Sequence, residues 1–241
     1  MPNAQPAPEL SGLLAHWQLQ PLAIVVAVAL CVIYLGALRS LRAEPGGPGW
    51  PARHTAVFVA GLALFVWTTC GWPEAYRRSL FWVWTAQTLT LLLVVPVLIL
   101  AGQPLQLVRL VRGPGGVVDR FLRSRAGRVL GNPLIGPAVV PLLSAALFFG
   151  PLPAWVVRSE TLAWLLQLLL VGLGAVIVLP LVGPVIEATS LAVGLSLAIG
   201  SFELVLDAIP GIALRLRTST ATDYFSHRQL HSWSPSPLHD Q

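Results

Sequence analysis

Long apolar runs, separated by short stretches rich in Gly, Pro and Arg, set the pattern of this chain. Six runs come close to the roughly 20 residues needed to cross about 30 Å of hydrocarbon: 22–38, 56–72, 80–101, 134–155, 162–182 and 186–214. Each is predicted to be an α-helix, because backbone polar groups in lipid must pair within their own segment. Pro96, Pro141, Pro180 and Pro210 fall inside or near the ends of these runs and should kink them locally. The fold expected is all-α: a polytopic integral membrane bundle of about six transmembrane helices over 22–214. It lies between an N-terminal tail, 1–21, and a polar tail, 215–241. The first twenty residues have neither a basic region nor a short apolar core before a cleavage site, so no signal peptide is expected.

Composition closes the alternatives. Only 10% of the 241 residues are charged and 55% are hydrophobic, whereas a soluble domain carries about 25% charged residues. Disorder needs the opposite balance. Two cysteines exclude a disulfide scaffold and a multi-Cys zinc site. The net charge of +5 comes from fifteen basic residues, all arginine. They cluster between apolar runs, where they act as topology signals rather than as a nucleic-acid surface.

Those arginines orient the chain. The segment between the third and fourth runs holds Arg109, Arg112, Arg120, Arg123, Arg125 and Arg128, and that between the first and second holds Arg39, Arg42 and Arg53. The N-terminal tail holds none. Both loops are therefore expected to be cytoplasmic and the N-terminal tail extracytoplasmic. Arg77 and Arg78, ahead of the third run, read as a weaker and opposing signal. Within the loop 104–131, the segment 117–130 repeats apolar residues at helical spacing against arginines. It reads either as a helix lying among anionic lipid headgroups or as a solvated linker with stop-transfer charges.

Ionisable or amide side chains inside a span are costly and mark candidate sites. Glu203 and Asp207 in the sixth run are four apart and share a helix face. They read as a carboxylate pair for a cation, a proton or a partner, or as an interfacial pair bonded to Arg215. Gln87 in the third run and Gln167 in the fifth sit at matched depth and can bond across the bundle. Trp84 and Trp164 beside them also suit an interfacial belt. Cys70, closing the second run, is the one thiol placed for soft-metal ligation such as Cu(I), though a lone cysteine is commonly a small buried residue. All five histidines lie outside the apolar runs, which argues against intramembrane haem ligation.

Several short motifs together resemble the CtaG-like assembly factors of haem–copper cytochrome c oxidases. They are His16-Trp17, Tyr34-Leu35-Gly36, Gly49-Trp50-Pro51, Gln87 within 84–88, Pro96, Gly102-Gln103-Pro104, Asn132-Pro133, Ser236-Pro237-Leu238 and Asp240-Gln241. The resemblance covers nearly the whole chain. It implies a bacterial plasma-membrane protein of the respiratory chain that binds oxidase subunits during maturation and does not catalyse a reaction. It also implies a possible part in copper delivery. The family's His-Met-x-Gln-His pattern places its histidines on Trp84 and Thr88, and only Gln87 matches. A second histidine pair falls near Ala163 and on Gln167. The family's Asp-Gln usually precedes a seventh span, whereas this sequence stops at Gln241, which leaves either a bundle one helix short or a fragment.

The function expected is assistance to oxidase assembly by binding, with Gln87, Gln167, Glu203 and Asp207 as the functional cluster and Cys70 as a metal candidate. Two rivals remain at this stage. One is a small cation transporter or channel using Glu203 and Asp207. The other is a degenerate membrane scaffold that binds no metal.

Overall fold

A computed structural model describes residues 17–43, 49–113, 115–125 and 159–182, with isolated positions between 127 and 156. Among the described residues, the elements are α1 (Pro21–Ala43), α2 (Ala52–Cys70), α3 (Trp72–Tyr76) and α4 (Phe81–Leu89). A π-turn (Thr90–Val94) follows, then α5 (Val95–Ala101), α6 (Pro104–Arg112), α7 (Val117–Arg123) and α8 (Glu160–Val182).

Four of these stretches are long and apolar enough to cross a membrane: Pro21–Ala43, Ala52–Tyr76, Phe81–Arg112 and Glu160–Leu179. They answer to the first, second, third and fifth apolar runs. The fourth run lies almost wholly outside the described residues. The sixth, with Glu203 and Asp207, lies outside them entirely, as does the polar tail. The structure is therefore an all-helical membrane bundle with four such helices described, and the count of six rests on the sequence. A 23-residue helix such as α1 is about 34 Å long, which matches the hydrocarbon thickness.

The helices are apolar on both their inner and outer faces. Val25, Val28, Val32 and Ile33 on α1, and Leu162, Leu165 and Leu169 on α8, are exposed. Contiguous apolar surface of this kind suits lipid, not water. Inside, Phe65, Phe81, Trp84, Leu91, Leu92, Val95 and Leu170 form the main core between α2, the α4–α5 rod and α8. Gly61 lets α2 close on α5, since a Cβ there would meet the Ile99 backbone nitrogen at 2.9 Å. Small residues at such crossings are how membrane helices gain packing.

The kink expected at Pro96 takes the form of the π-turn just before it. Proline has no N–H to give the Leu92 carbonyl, and the ladder widens by one residue: the Val95 N–H reaches back to the Thr90 carbonyl.

The two ends of the bundle differ in charge. At one end, the Gln18 N–H donates to the Cys70 carbonyl at 2.7 Å, tying the start of α1 to the end of α2. Glu74 and Glu160 sit at this end, each paired with an arginine, Arg77 and Arg78. Arg39, Arg42, Arg53, Arg109 and Arg112 sit at the other. There Tyr34, Leu38, Leu41, Phe58, Leu62 and Leu107 form a second core. Tyr34 stacks on Phe58 with centroids 4.0 Å apart. Its hydroxyl donates to the Gly102 carbonyl at 3.0 Å and accepts from Trp50 Nε1 at 3.1 Å. Tyr34→Phe leaves both partners unmatched and is expected to cost about 1–3 kcal/mol. Unfolding of the purified protein in detergent checks this, and an unchanged midpoint would remove Tyr34 as a tie between α1 and α5.

Candidate functional site: a buried carboxylate hub

The site begins where α2 ends. The helix stops at Cys70, Gly71 breaks the direction of the chain, and Pro73 sits in the opening turn of α3. Trp72, Pro73, Glu74 and Tyr76 of this short helix are buried rather than turned to water. Glu74 and Arg77, three apart, therefore share one face, and that face points inward. They are only 4% and 2% exposed. Arg77 Nε donates to Glu74 Oε1 at 2.6 Å.

The other carboxylate oxygen is reached from two further spans. Gln87 Nε2, on α4, donates to Glu74 Oε2 at 2.9 Å, and Gln167 Nε2, on α8, donates to the same oxygen at 2.8 Å. Gln87 Nε2 also donates to the Thr68 carbonyl at 2.9 Å. That carbonyl lies in the last turn of α2, where helix carbonyls have no intrahelical donor. Both amide hydrogens of Gln87 are thus used. One carboxylate collects three donors, from Arg77 at the end of α3 and from α4 and α8, which is what a charge taken out of water requires.

Beside the hub lies a small cleft lined by Arg77, Trp84, Gln87, Thr88, Ala163 and Gln167, and closed by apolar side chains such as Leu91 and Leu170. Its free space is on the order of one water molecule. The Thr88 hydroxyl donates to the Trp84 carbonyl at 2.9 Å. Next to Arg77 in sequence, Arg78 pairs with Glu160 at 3.3 Å; this pair is exposed and contributes little.

The structure brings Gln87 and Gln167 together, as their matched depth suggests, but through a carboxylate that the apolar pattern does not mark. Glu74 and Arg77 lie just beyond the second apolar run, 56–72. Reading Arg77 as an outer topology charge is corrected: its guanidinium is internal and neutralised by Glu74. The signal that finds the pair is the Glu-x-x-Arg spacing directly after Trp72-Pro73. Cys70 is fully buried. Its Sγ lies 3.7 Å from the Thr69 hydroxyl, and it packs in the main core with Phe65, Phe81 and Trp84. Cys31 is on α1, partly buried against the second core. Glu203 and Asp207 lie outside the described residues.

Chemically, the convergent groups are a carboxylate, a guanidinium, two amides and a hydroxyl. Copper(I) is held by thiolate, thioether or imidazole, and none of these lines the cleft. Among the described residues, no three His, Cys, Asp or Glu side chains group to hold a metal ion. Trp84, Thr88, Ala163 and Gln167 nevertheless line this one cleft, so the positions on or, for Ala163, near which the resemblance places histidines converge in space.

The family model for the cytochrome c oxidase caa3 assembly factor (Caa3_CtaG) matches residues 32–241. Proteins of Mycobacterium bovis and Mycobacterium tuberculosis, both described as uncharacterised, are each 27% identical to the chain over 154 residues. The match covers 60% of this chain and 23% of each relative, so the chain spans less than a quarter of the length of these relatives. No solved structure matches it.

Proposed function

The chain belongs to the cytochrome c oxidase caa3 assembly factor family, whose role is in oxidase assembly, and from that premise we propose that it acts by binding oxidase subunits within the membrane rather than by catalysis. The observation that carries this reading is the Glu74 hub. It ties three membrane segments into one rigid end with its polar groups already matched to one another, which suits a docking platform better than a reactive centre. The bacterial plasma membrane is the location this role implies, with the hub in the outer leaflet if the arginine-rich loops face the cytoplasm. Glu203 and Asp207 then fall toward the same leaflet and are proposed as further docking groups.

Copper delivery through the cleft is not part of this proposal, because its donors are of the wrong kind. Cys70 stays the one thiol near this end of the bundle. Two measurements test the reading. Deleting the gene is expected to lower the amount of assembled oxidase, and Gln87→Leu with Gln167→Leu is expected to reproduce much of that loss. Titrating the purified protein with Cu(I) against a competing chelator is expected to give no tight stoichiometric site. Normal oxidase in the deletion strain would defeat the assembly role. Tight Cu(I) binding lost on Cys70→Ser would restore copper delivery.

A further inference from the structure

The arginine-rich end of the bundle carries a surface that the assembly hub does not use. The chain leaves α5 through Gln103, whose φ of 53° turns α6 so that Leu107 packs against Tyr34, Leu38 and Leu41. Gly113 and Gly115, with φ of 71° and 88°, turn the chain again and bring α7 beside α6. Asp119 pins this second turn: it accepts from the Gly115 N–H at 3.0 Å and from Arg109 Nε at 2.7 Å. The Gly115 N–H chiefly, with Arg109 and Arg123 behind it and desolvation opposing, holds the Asp119 carboxyl below its ordinary range. Asp119 is therefore ionised and engaged locally with Arg109.

What remains on the surface is cationic. Arg112, Arg120, Arg123 and Arg125 are exposed, and Arg39, Arg42 and Arg53 are exposed at the same end. Among the described residues, Asp119 is the one acid there. Leu110 and Phe121 stand exposed among these arginines. We propose that α6 and α7 form a binding surface for anionic phospholipid headgroups, with Arg112, Arg120 and Arg123 pairing lipid phosphate while Leu110 and Phe121 enter the acyl boundary. Two observations favour lipid over an acidic protein. The α6 helix follows α5 with only two residues between them and closes the third membrane-length stretch at Arg112, which puts the arginines at the bilayer edge. Exposed Leu and Phe among arginines is also the composition of a segment lying in the headgroup layer.

The test uses the full chain reconstituted in vesicles of mixed phosphatidylglycerol and phosphatidylcholine, with the lipid retained after gentle extraction identified by mass spectrometry. The wild type is expected to retain phosphatidylglycerol in excess of its share. Each arginine removed is expected to lower that preference by about fivefold, so Arg112→Gln, Arg120→Gln and Arg123→Gln together should abolish it with helical content unchanged. Arg78→Gln, at the other end of the bundle, should leave it intact. Retention in simple proportion to the mixture would overturn the proposal, as would a folded triple variant that keeps the preference. Displacement of the lipid by inorganic phosphate would make this a free-phosphate site. A triple variant that keeps its lipid but loses oxidase co-purification would make it a protein-docking surface; either result also overturns it.

Discussion

Glu74→Ala is expected to destabilise the protein by about 3–5 kcal/mol, because it strands the Arg77 guanidinium in the interior with no counter-charge. The same change leaves the Gln87 and Gln167 amides without their shared acceptor, and an unmatched buried donor costs more than the bond it lost contributed. Unfolding in detergent, monitored by helical signal, measures the loss. A smaller effect, below about 1 kcal/mol, would mean that water reaches the pair and that the hub is not buried in the membrane protein as purified.

A paired variant separates charge burial from function. Glu74→Met with Arg77→Leu removes both charges, and such apolar replacements of buried ion pairs are often neutral or stabilising. Most of the stability lost in Glu74→Ala is expected to return. Oxidase assembly should not return with it if the buried hub sets the shape of the face on which a subunit docks. Recovery of both together would assign Glu74 and Arg77 to the packing of α3 alone.

Apolar run lengths locate the starts of the described spans to within a few residues, since the bilayer imposes both helix and length, but the third stretch runs on to Arg112, well past the run that ends at 101. The amide positions were legible for a similar reason: an amide facing lipid is so costly that Gln87 and Gln167 had to find polar partners. Their shared partner was not legible from hydropathy, because Glu74 stands after Trp72-Pro73, where a span count stops. An arginine at that level carries the same signature whether it faces the headgroups or, like Arg77, turns inward. Only the fold of α3 distinguishes the two, and that fold depends on where Gly71 and Pro73 send the chain. The loop reading was partly legible as well. The apolar and basic repeat starting at residue 117 is helical in α7, Val117–Arg123, but the clamp made by Asp119 with Arg109 and Gly115 joins residues across a glycine turn that no helical period spans.

The second large effect is expected at Gly174. In α8, this residue faces the π-turn of the third span: a Cβ placed on it would fall onto the Leu92 carbonyl oxygen and come within 2.6 Å of Pro96 Cγ. The Leu92 carbonyl is the one to which Pro96 has no N–H to give, so the α8 backbone lies against the kinked stretch itself. Neither atom is the end of a flexible side chain. A methyl group there must push α8 away from the α4–α5 rod, and Gln167, two turns earlier on the same helix, moves with it. Gly174→Ala is therefore expected to cost about 1–3 kcal/mol, the range for overpacking a tight core, and Gly174→Val more. Gly172, two residues away, supplies the control: a Cβ there meets nothing within 4 Å, so Gly172→Ala should be neutral or stabilise by up to about 1 kcal/mol through helix propensity. The two alanine variants differ only in what the added methyl meets, so helix propensity cancels between them. A Gly174→Ala protein as stable as Gly172→Ala would mean that α8 does not seat against the π-turn. The Gln167 bond to Glu74 would then lose the contact that sets its depth.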